Sequence, residues 1–278
     1  MPAYAIVPAA GLSTRMGSTT GGSTRKQMAI IGGAPVVIHT LRRLDAAPGL
    51  EKIVVAARPE DRAALAARIA AERFQKPVEV VEGGATRQAS VRQALQHVPE
   101  SVPFIVVHDA VRPFVEPEAI ARALEAAEQH GAAIAAIPVV DTVKQVERSG
   151  ATGTRVAATL PREKLVLVQT PQAFRHDWLR AAFARADEEG FHATDESALV
   201  EHLGHAVYVV AGSPRNWKIT TPSDLELAET LLRSSGQLGE ARSLSGTPNA
   251  GSPAVATGVP DAQQRALGRK AGRSELGG

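Results

Sequence analysis

The chain has 278 residues, 44% of them hydrophobic but only 4% aromatic, so there is material for one sizeable core built mostly from Ala, Val, Leu and Ile. It contains no cysteine, which excludes disulfides, a thiolate nucleophile and cysteine-bound metals, and no apolar run of membrane-span length or leader pattern, so a cytoplasmic protein without a membrane partner is expected. The formal charge of +2 lies wholly in the segment from Gly236 onward; the body is neutral and has no basic stripe with interleaved aromatics, so no nucleic-acid partner is expected.

Tyr4-Ala5-Ile6-Val7 reads as a buried strand. It runs into Pro8-Ala9-Ala10-Gly11-Leu12-Ser13-Thr14-Arg15-Met16, and Lys26-Gln27 follows. Small residues let backbone N–H groups approach a ligand, and successive N–H groups in a turn form an anion-binding nest. Arg15 and Lys26 beside such a loop suit a polyphosphate. Neither Gly-x-x-x-x-Gly-Lys-Ser/Thr nor Gly-x-Gly-x-x-Gly is present, so the two familiar phosphate loops are set aside. Taken alone, the stretch also fits an ordinary βα turn with surface cations.

Beyond it, strand and helix alternate. Strands are predicted at Ile53–Ala57, Val78–Val81, Phe104–Val107 and Ala132–Val140, and helices at Ala63–Ile69, Gln88–Val98 and Pro117–Gln129. This spacing predicts an α/β fold with a doubly wound, mostly parallel sheet covered on both faces. Asp141 to Thr159 is more polar and turns at Ser149–Gly153, which predicts a projecting hairpin arm. A lone hairpin is marginal in water, so the arm is expected to pack on a second subunit. Regular structure resumes at Leu165–Gln172, with helices around Trp178–Glu188 and from about Thr194, and a strand at Ala206–Val210. Thr221-Pro222-Ser223-Asp224 opens the last helix with a cap, a proline and an acid in the first turn. One domain over residues 1–235 and a disordered tail or linker over 236–278, rich in Gly, Ser, Pro and Ala, complete the prediction.

Four polar clusters fall at or just beyond the C-terminal ends of predicted strands, the edge where open α/β sheets bind ligands. They are the Pro8–Arg15 loop, Gly83-Gly84-Ala85-Thr86-Arg87-Gln88-Ala89-Ser90, His108-Asp109-Ala110-Val111-Arg112-Pro113, and Gln169-Thr170-Pro171-Gln172. Together with Asp-Thr-x-Lys, Thr-Asp-Glu and Lys-Ile-Thr-x-Pro-x-Asp in this order, they resemble the 2-C-methyl-D-erythritol 4-phosphate cytidylyltransferase family over about residues 3–233.

The resemblance implies transfer of CMP from CTP to a polyol phosphate with release of pyrophosphate, by a Mg²⁺-dependent homodimer joined through the arm. The Mg²⁺ would be held mainly through the CTP phosphates, with no protein metal site. Arg15 and Lys26 would be catalytic. Pro8, Ala9, Ala10, Gly11, Gly83, Gly84 and Ser90 would bind the nucleotide, with Gly83 and Ser90 holding the cytosine. Arg112, Thr142, Arg162 and Lys218 would hold the acceptor phosphate, with Thr142 and Arg162 reaching the neighbour's site; Asp109 would sit beside the ribose, the metal or the incoming substrate, and Thr170 and Thr194 would be supporting or substrate contacts. Read singly, Asp109 also fits a turn cap, Arg162 a solvated charge and Lys218 a strand-edge lysine. His108 reads as a packing or hydrogen-bonding residue rather than an acid catalyst. The segment from Met16 to Arg25 is longer than the family pattern and predicts a mobile lid, which leaves open whether Arg25 or Lys26 meets phosphate. Rival readings are a cytidylyltransferase for another polyol phosphate, such as ribitol 5-phosphate, and a non-catalytic nucleotide-binding module.

Overall fold

A computed structural model of the chain describes residues 2–11, 25–149 and 153–234. The predicted catalytic Arg15, most of the lid, the tip of the arm and the 236–278 tail lie outside the described residues.

Strand β1 (Ala3–Pro8) is followed by a 3-10 turn (Lys26–Met28), a short hairpin of β2 (Ile30–Ile31) and β3 (Ala34–Pro35), and helix α1 (Val36–Asp45). Then come β4 (Leu50–Ala57), α2 (Pro59–Ala70), β5 (Val78–Glu82), α3 (Arg87–Leu95), β6 (Phe104–Val107), α4 (Pro117–His130) and β7 (Ala132–Pro138). The arm is β8 (Val143–Ser149) with β9 (Gly153–Leu160). The chain closes with β10 (Val166–Arg175), α5 (His176–Glu189), α6 (Glu196–His202), β11 (Tyr208–Ala211) and α7 (Pro222–Ser234).

Seven strands form one sheet in the order β11-β7-β10-β6-β1-β4-β5. All neighbours are parallel except β10, which runs antiparallel to both β6 and β7. From β1 the chain first winds outward through β4 and β5, then returns to place β6 on the other flank of β1. That reversal opens a crevice beyond the C-terminal ends of β1 and β6, where ligands of such sheets bind.

Both faces are apolar because successive strand residues point to opposite sides. Ala5, Val7, Ile53, Val55 and Val106 pack with α1, α2 and α4, while Ile6, Val54, Ile105 and Val107 pack with α3, α5 and α6. Proline at the first turn starts α2 and α4. Helix α4 stops at Gly131, whose φ of +91° favours glycine and where a Cβ would lie 2.3 Å from the Trp178 ring. Helix α7 opens with a reciprocal cap: the Thr221 amide donates to the Asp224 carboxylate at 2.8 Å and the Asp224 amide to the Thr221 hydroxyl at 3.3 Å.

The structure departs from the sequence reading in three places, the first being the β2–β3 hairpin, which no predicted element covers. Helix α1 has no counterpart among the predicted elements: its N-cap is Pro35, with no side-chain cap and no acid in the first turn, so no polar start signal marks it. The Gln169–Gln172 cluster lies inside antiparallel β10 rather than at a strand's C-terminal end. It reaches the functional edge all the same, because Gln172 pairs with Val107, the last residue of β6, and residues 169–171 extend beyond it. The pairing of β10 with β7 is irregular over this stretch, between Val168 and Gln172.

Candidate active site

The crevice between β1 and β6 is lined by Pro8, Ala9, Gly11, Lys26, Gln27, Arg87, Ser90, Asp109, Val111 and Lys218, among others. The β1 loop turns its small side chains inward, Ala9 and Ala10 being buried. The Ala9 amide donates to the Ala56 carbonyl at 2.7 Å, so the loop continues alongside β4 for one residue beyond the strand. Buried Gln27 pins it from the other side, its Nε2 donating to the Ala9 carbonyl at 2.6 Å and reaching that of Gly11 at 3.5 Å. Lys26 lines the crevice. Arg25 does not; it is drawn to Glu60 and Asp61 at the start of α2.

The Gly83–Ser90 turn closes the β5 side. A Cβ on Gly83 would lie 2.7 Å from the Ala10 Cβ and 3.2 Å from the Ser90 hydroxyl, so only glycine lets this turn approach the β1 loop so closely. On Gly84 it would lie 2.5 Å from the Ala89 Cβ, where the turn packs on α3; neither glycine is itself among the lining residues. The Ser90 hydroxyl is engaged with the carbonyls of Thr86 at 2.8 Å and Gly84 at 3.2 Å. It thus braces the turn that borders the crevice.

Asp109 is the hub. Its Oδ1 accepts from Arg87 Nε at 3.2 Å, and its Oδ2 meets Arg112 Nε at 3.2 Å and Lys218 Nζ at 3.1 Å. Burial alone would raise this carboxyl, but Arg87, Lys218 and Arg112 outweigh it and hold it well below the usual carboxylate range. Arg87 also places one guanidinium nitrogen 2.8 Å from both oxygens of buried Glu196. Burial opposes the arginine's charge, yet Glu196 and Asp109 prevail and hold it above its ordinary value. Arg112 is buried, and its Nη1 donates to the Asn216 carbonyl at 2.8 Å. It stands behind Asp109 and is absent from the crevice lining.

His108 and Thr170 fix the Asp109 backbone. The Asp109 amide donates to Thr170 Oγ1 at 3.0 Å, and that hydroxyl lies 3.0 Å from His108 Nδ1. With Nδ1 accepting, Nε2 carries the proton and faces the Arg112 carbonyl at 3.3 Å. Burial pushes the imidazole down to about 4, so it is neutral and unsuited to donate a proton near pH 7. Thr170 is buried and does not reach the crevice lining.

The remaining predicted residues lie elsewhere. Thr142 and Arg162 sit at the root of the arm, with Arg162 Nη1 donating to the Val140 carbonyl at 2.6 Å, and neither lines the crevice of its own chain. Thr194 is exposed and outside the lining; its neighbour Asp195 caps α6 through the Ala198 amide at 3.1 Å. Conversely, sequence reasoning does not single out Arg87, Gln27 or Glu196, although each lies inside a quoted motif: Gly-Gly-x-x-Arg, Lys-Gln and Thr-Asp-Glu. Among the described residues the lining carries three cations, Lys26, Arg87 and Lys218, against one carboxylate, Asp109. Both Asp109 oxygens are taken by cations, and no group of three or more His, Cys, Asp or Glu among the described residues could hold a metal. The donor set does not fit a resident ion.

The model of one family, IspD, 2-C-methyl-D-erythritol 4-phosphate cytidylyltransferase, matches residues 3–234. The 2-C-methyl-D-erythritol 4-phosphate cytidylyltransferase of Acidobacterium capsulatum is 50% identical over 236 residues, covering 84% of this chain and 98% of that one. Its namesake from Solibacter usitatus is 48% identical, covering 84% and 96%. The crystal structure of the Thermus thermophilus protein of the same name aligns with a TM-score of 0.66 at 37% identity, over 84% of this chain and 100% of that chain.

Proposed function

The chain belongs to the 2-C-methyl-D-erythritol 4-phosphate cytidylyltransferase family, and on that footing we propose that it transfers CMP from CTP to 2-C-methyl-D-erythritol 4-phosphate, giving 4-diphosphocytidyl-2-C-methyl-D-erythritol and pyrophosphate. The observation that carries the reading within the structure is the excess of cations around the crevice at the β1–β6 reversal. Such a site suits two anions that must approach one another.

An acceptor phosphate oxygen attacks the α-phosphorus of CTP in line, the new O–P bond forms, and the bond to the β-phosphate bridge breaks as pyrophosphate leaves. A phosphate monoester has its second pKa near 6, so the nucleophile is already anionic and no general base is required. Neutral, buried His108 accords with that. The work left to the protein is electrostatic and positional. The β1 loop offers backbone N–H groups to the nucleotide, and the Gly83 turn abuts it. Lys26, with Arg15 from beyond the described residues, neutralises charge gathering at the α-phosphate. Lys218 receives the acceptor phosphate, held in place by Asp109.

Magnesium belongs to the substrate in this scheme, entering on the CTP phosphates. The assembly is a homodimer in which the arm carries Thr142 and Arg162 to the neighbour's acceptor site. Exposed Val146, Val156, Val166 and Leu167 on the arm and the adjoining start of β10 support that pairing. CTP is a cytoplasmic metabolite, which supports a cytoplasmic location, and no helix among the described residues is long and apolar enough to cross a membrane.

The test is ³¹P NMR of the protein with CTP, Mg²⁺ and 2-C-methyl-D-erythritol 4-phosphate. A diphosphate diester should appear in equal amount with pyrophosphate. Hydrolysis of CTP without the diester would overturn the proposal.

A further inference from the structure

Loop 212–219 delivers Lys218 to the crevice, yet it is an irregular segment between β11 and α7. Three backbone bonds shape it, from the Gly212 amide to the Ala136 carbonyl at 2.8 Å, from the Asn216 amide to the Ser213 carbonyl at 2.9 Å and from the Ile219 amide to the Val111 carbonyl at 2.9 Å. One buried side chain adds a further hold. Asn216 is 1% exposed, and its Nδ2 donates to the Thr170 carbonyl at 2.7 Å and to Gln169 Oε1 at 3.2 Å. Gln169, also buried, clasps the same loop at Ser213, donating to its carbonyl at 2.9 Å and accepting from its amide at 3.3 Å. The backbone carbonyl of Asn216 meanwhile receives Arg112. One residue therefore ties together β10, the loop of Lys218 and the arginine behind Asp109.

The orientation of this amide is fixed. The Thr170 carbonyl can only accept, so the nitrogen must face it. Oδ1 is buried without a hydrogen-bond partner among the described residues, so the whole grip passes through Nδ2. A carboxylate in its place would set oxygen against oxygen.

We propose that Asn216, latched to Gln169, is a positioning residue for the acceptor phosphate: its side chain acts through Lys218 and leaves the nucleotide side of the crevice untouched. The inference rests on the assignment of Lys218 to the acceptor. Two buried bonds of ordinary net strength correspond to about tenfold to thirtyfold in affinity.

The experiment is steady-state kinetics of Asn216→Ala, Asn216→Asp, Lys218→Ala and the double variant Asn216→Ala/Lys218→Ala, with CTP and acceptor varied separately. Asn216→Ala should raise the acceptor KM about tenfold or more while the CTP KM moves less than about twofold, and Asn216→Asp should be worse. In the Lys218→Ala background, Asn216→Ala should cost much less than it does alone, because its effect travels through the missing lysine. Multiplicative losses, or equal damage to both substrates, overturn the latch. If Lys218→Ala harms the acceptor and Asn216→Ala does not, the latch fails and the lysine assignment stands. If Lys218→Ala leaves the acceptor KM unchanged, the assignment fails and takes the latch with it. Should Asn216→Ala not fold, Gln169→Ala, read the same way, carries the test.

Discussion

Replacing His108 with glutamine should flatten the loss of stability that the protein undergoes as pH falls from 6.5 towards 4. His108 is fully buried between Thr170 and the Arg112 carbonyl, and burial takes its imidazole from 6.5 down to about 4. Between those values the unfolded chain binds a proton that the folded chain refuses, so acid favours unfolding. The stabilisation is complete above pH 6.5 and is lost as pH falls to the folded value. At about 1.4 kcal/mol per pH unit, the penalty is about 2 kcal/mol by pH 5 and about 3 kcal/mol by pH 4. Asp109 contributes with a depressed carboxyl, whose stabilisation is lost only below the ordinary aspartate value of 3.8, outside this window. His39 and His176, also lowered by burial, remain in the variant and so drop out of the comparison. The assay is urea unfolding of both proteins at pH 7.5 and pH 5.0, at one protein concentration. The wild type should lose about 2 kcal/mol more than His108→Gln. Equal losses would refute the placement of a neutral imidazole beneath Asp109.

Lys26→Ala should lower kcat far more than it raises the CTP KM, as expected for a charge that counts most in the transition state; equal loss in both would reduce it to a ground-state contact. Gly83→Ala should raise the CTP KM about tenfold or more and cost about 1–3 kcal/mol in stability, since its Cβ must displace Ala10 and Ser90; unchanged CTP kinetics would mean the turn is not part of the nucleotide site. Arg162→Ala mixed with Lys218→Ala should recover activity above either variant alone if sites are completed across a dimer, whereas no recovery would return Arg162 to its own subunit.

Much of the fold could be read from local pattern because apolar runs and their polar interruptions follow strand and helix periods. The contiguous parallel strands β1, β4, β5 and β6 are short apolar segments, and the arm is set off by its polarity. Helix α1 escaped because the cap that would mark it is a proline without a hydrogen-bonding side chain. The direction of β10 escaped because a buried strand has the same composition whichever way it runs. At the site, Lys26, Lys218 and the loops stood out by residue type, but Arg87 and the partners of these cations did not. Nothing local distinguishes Glu196 from a surface acid in the first turn of α6; its role appears only when Arg87, 109 positions earlier, folds against it. Arg112 shows the reverse, a motif arginine whose charge is spent on Asp109 and a backbone carbonyl before substrate arrives.

The most direct test of the account is pyrophosphate release with CTP and Mg²⁺, offering 2-C-methyl-D-erythritol 4-phosphate and D-ribitol 5-phosphate in parallel. The account predicts release with the first acceptor and background with the second. Release with ribitol 5-phosphate alone would contradict the acceptor, and binding of CTP with no release from either would contradict catalysis itself.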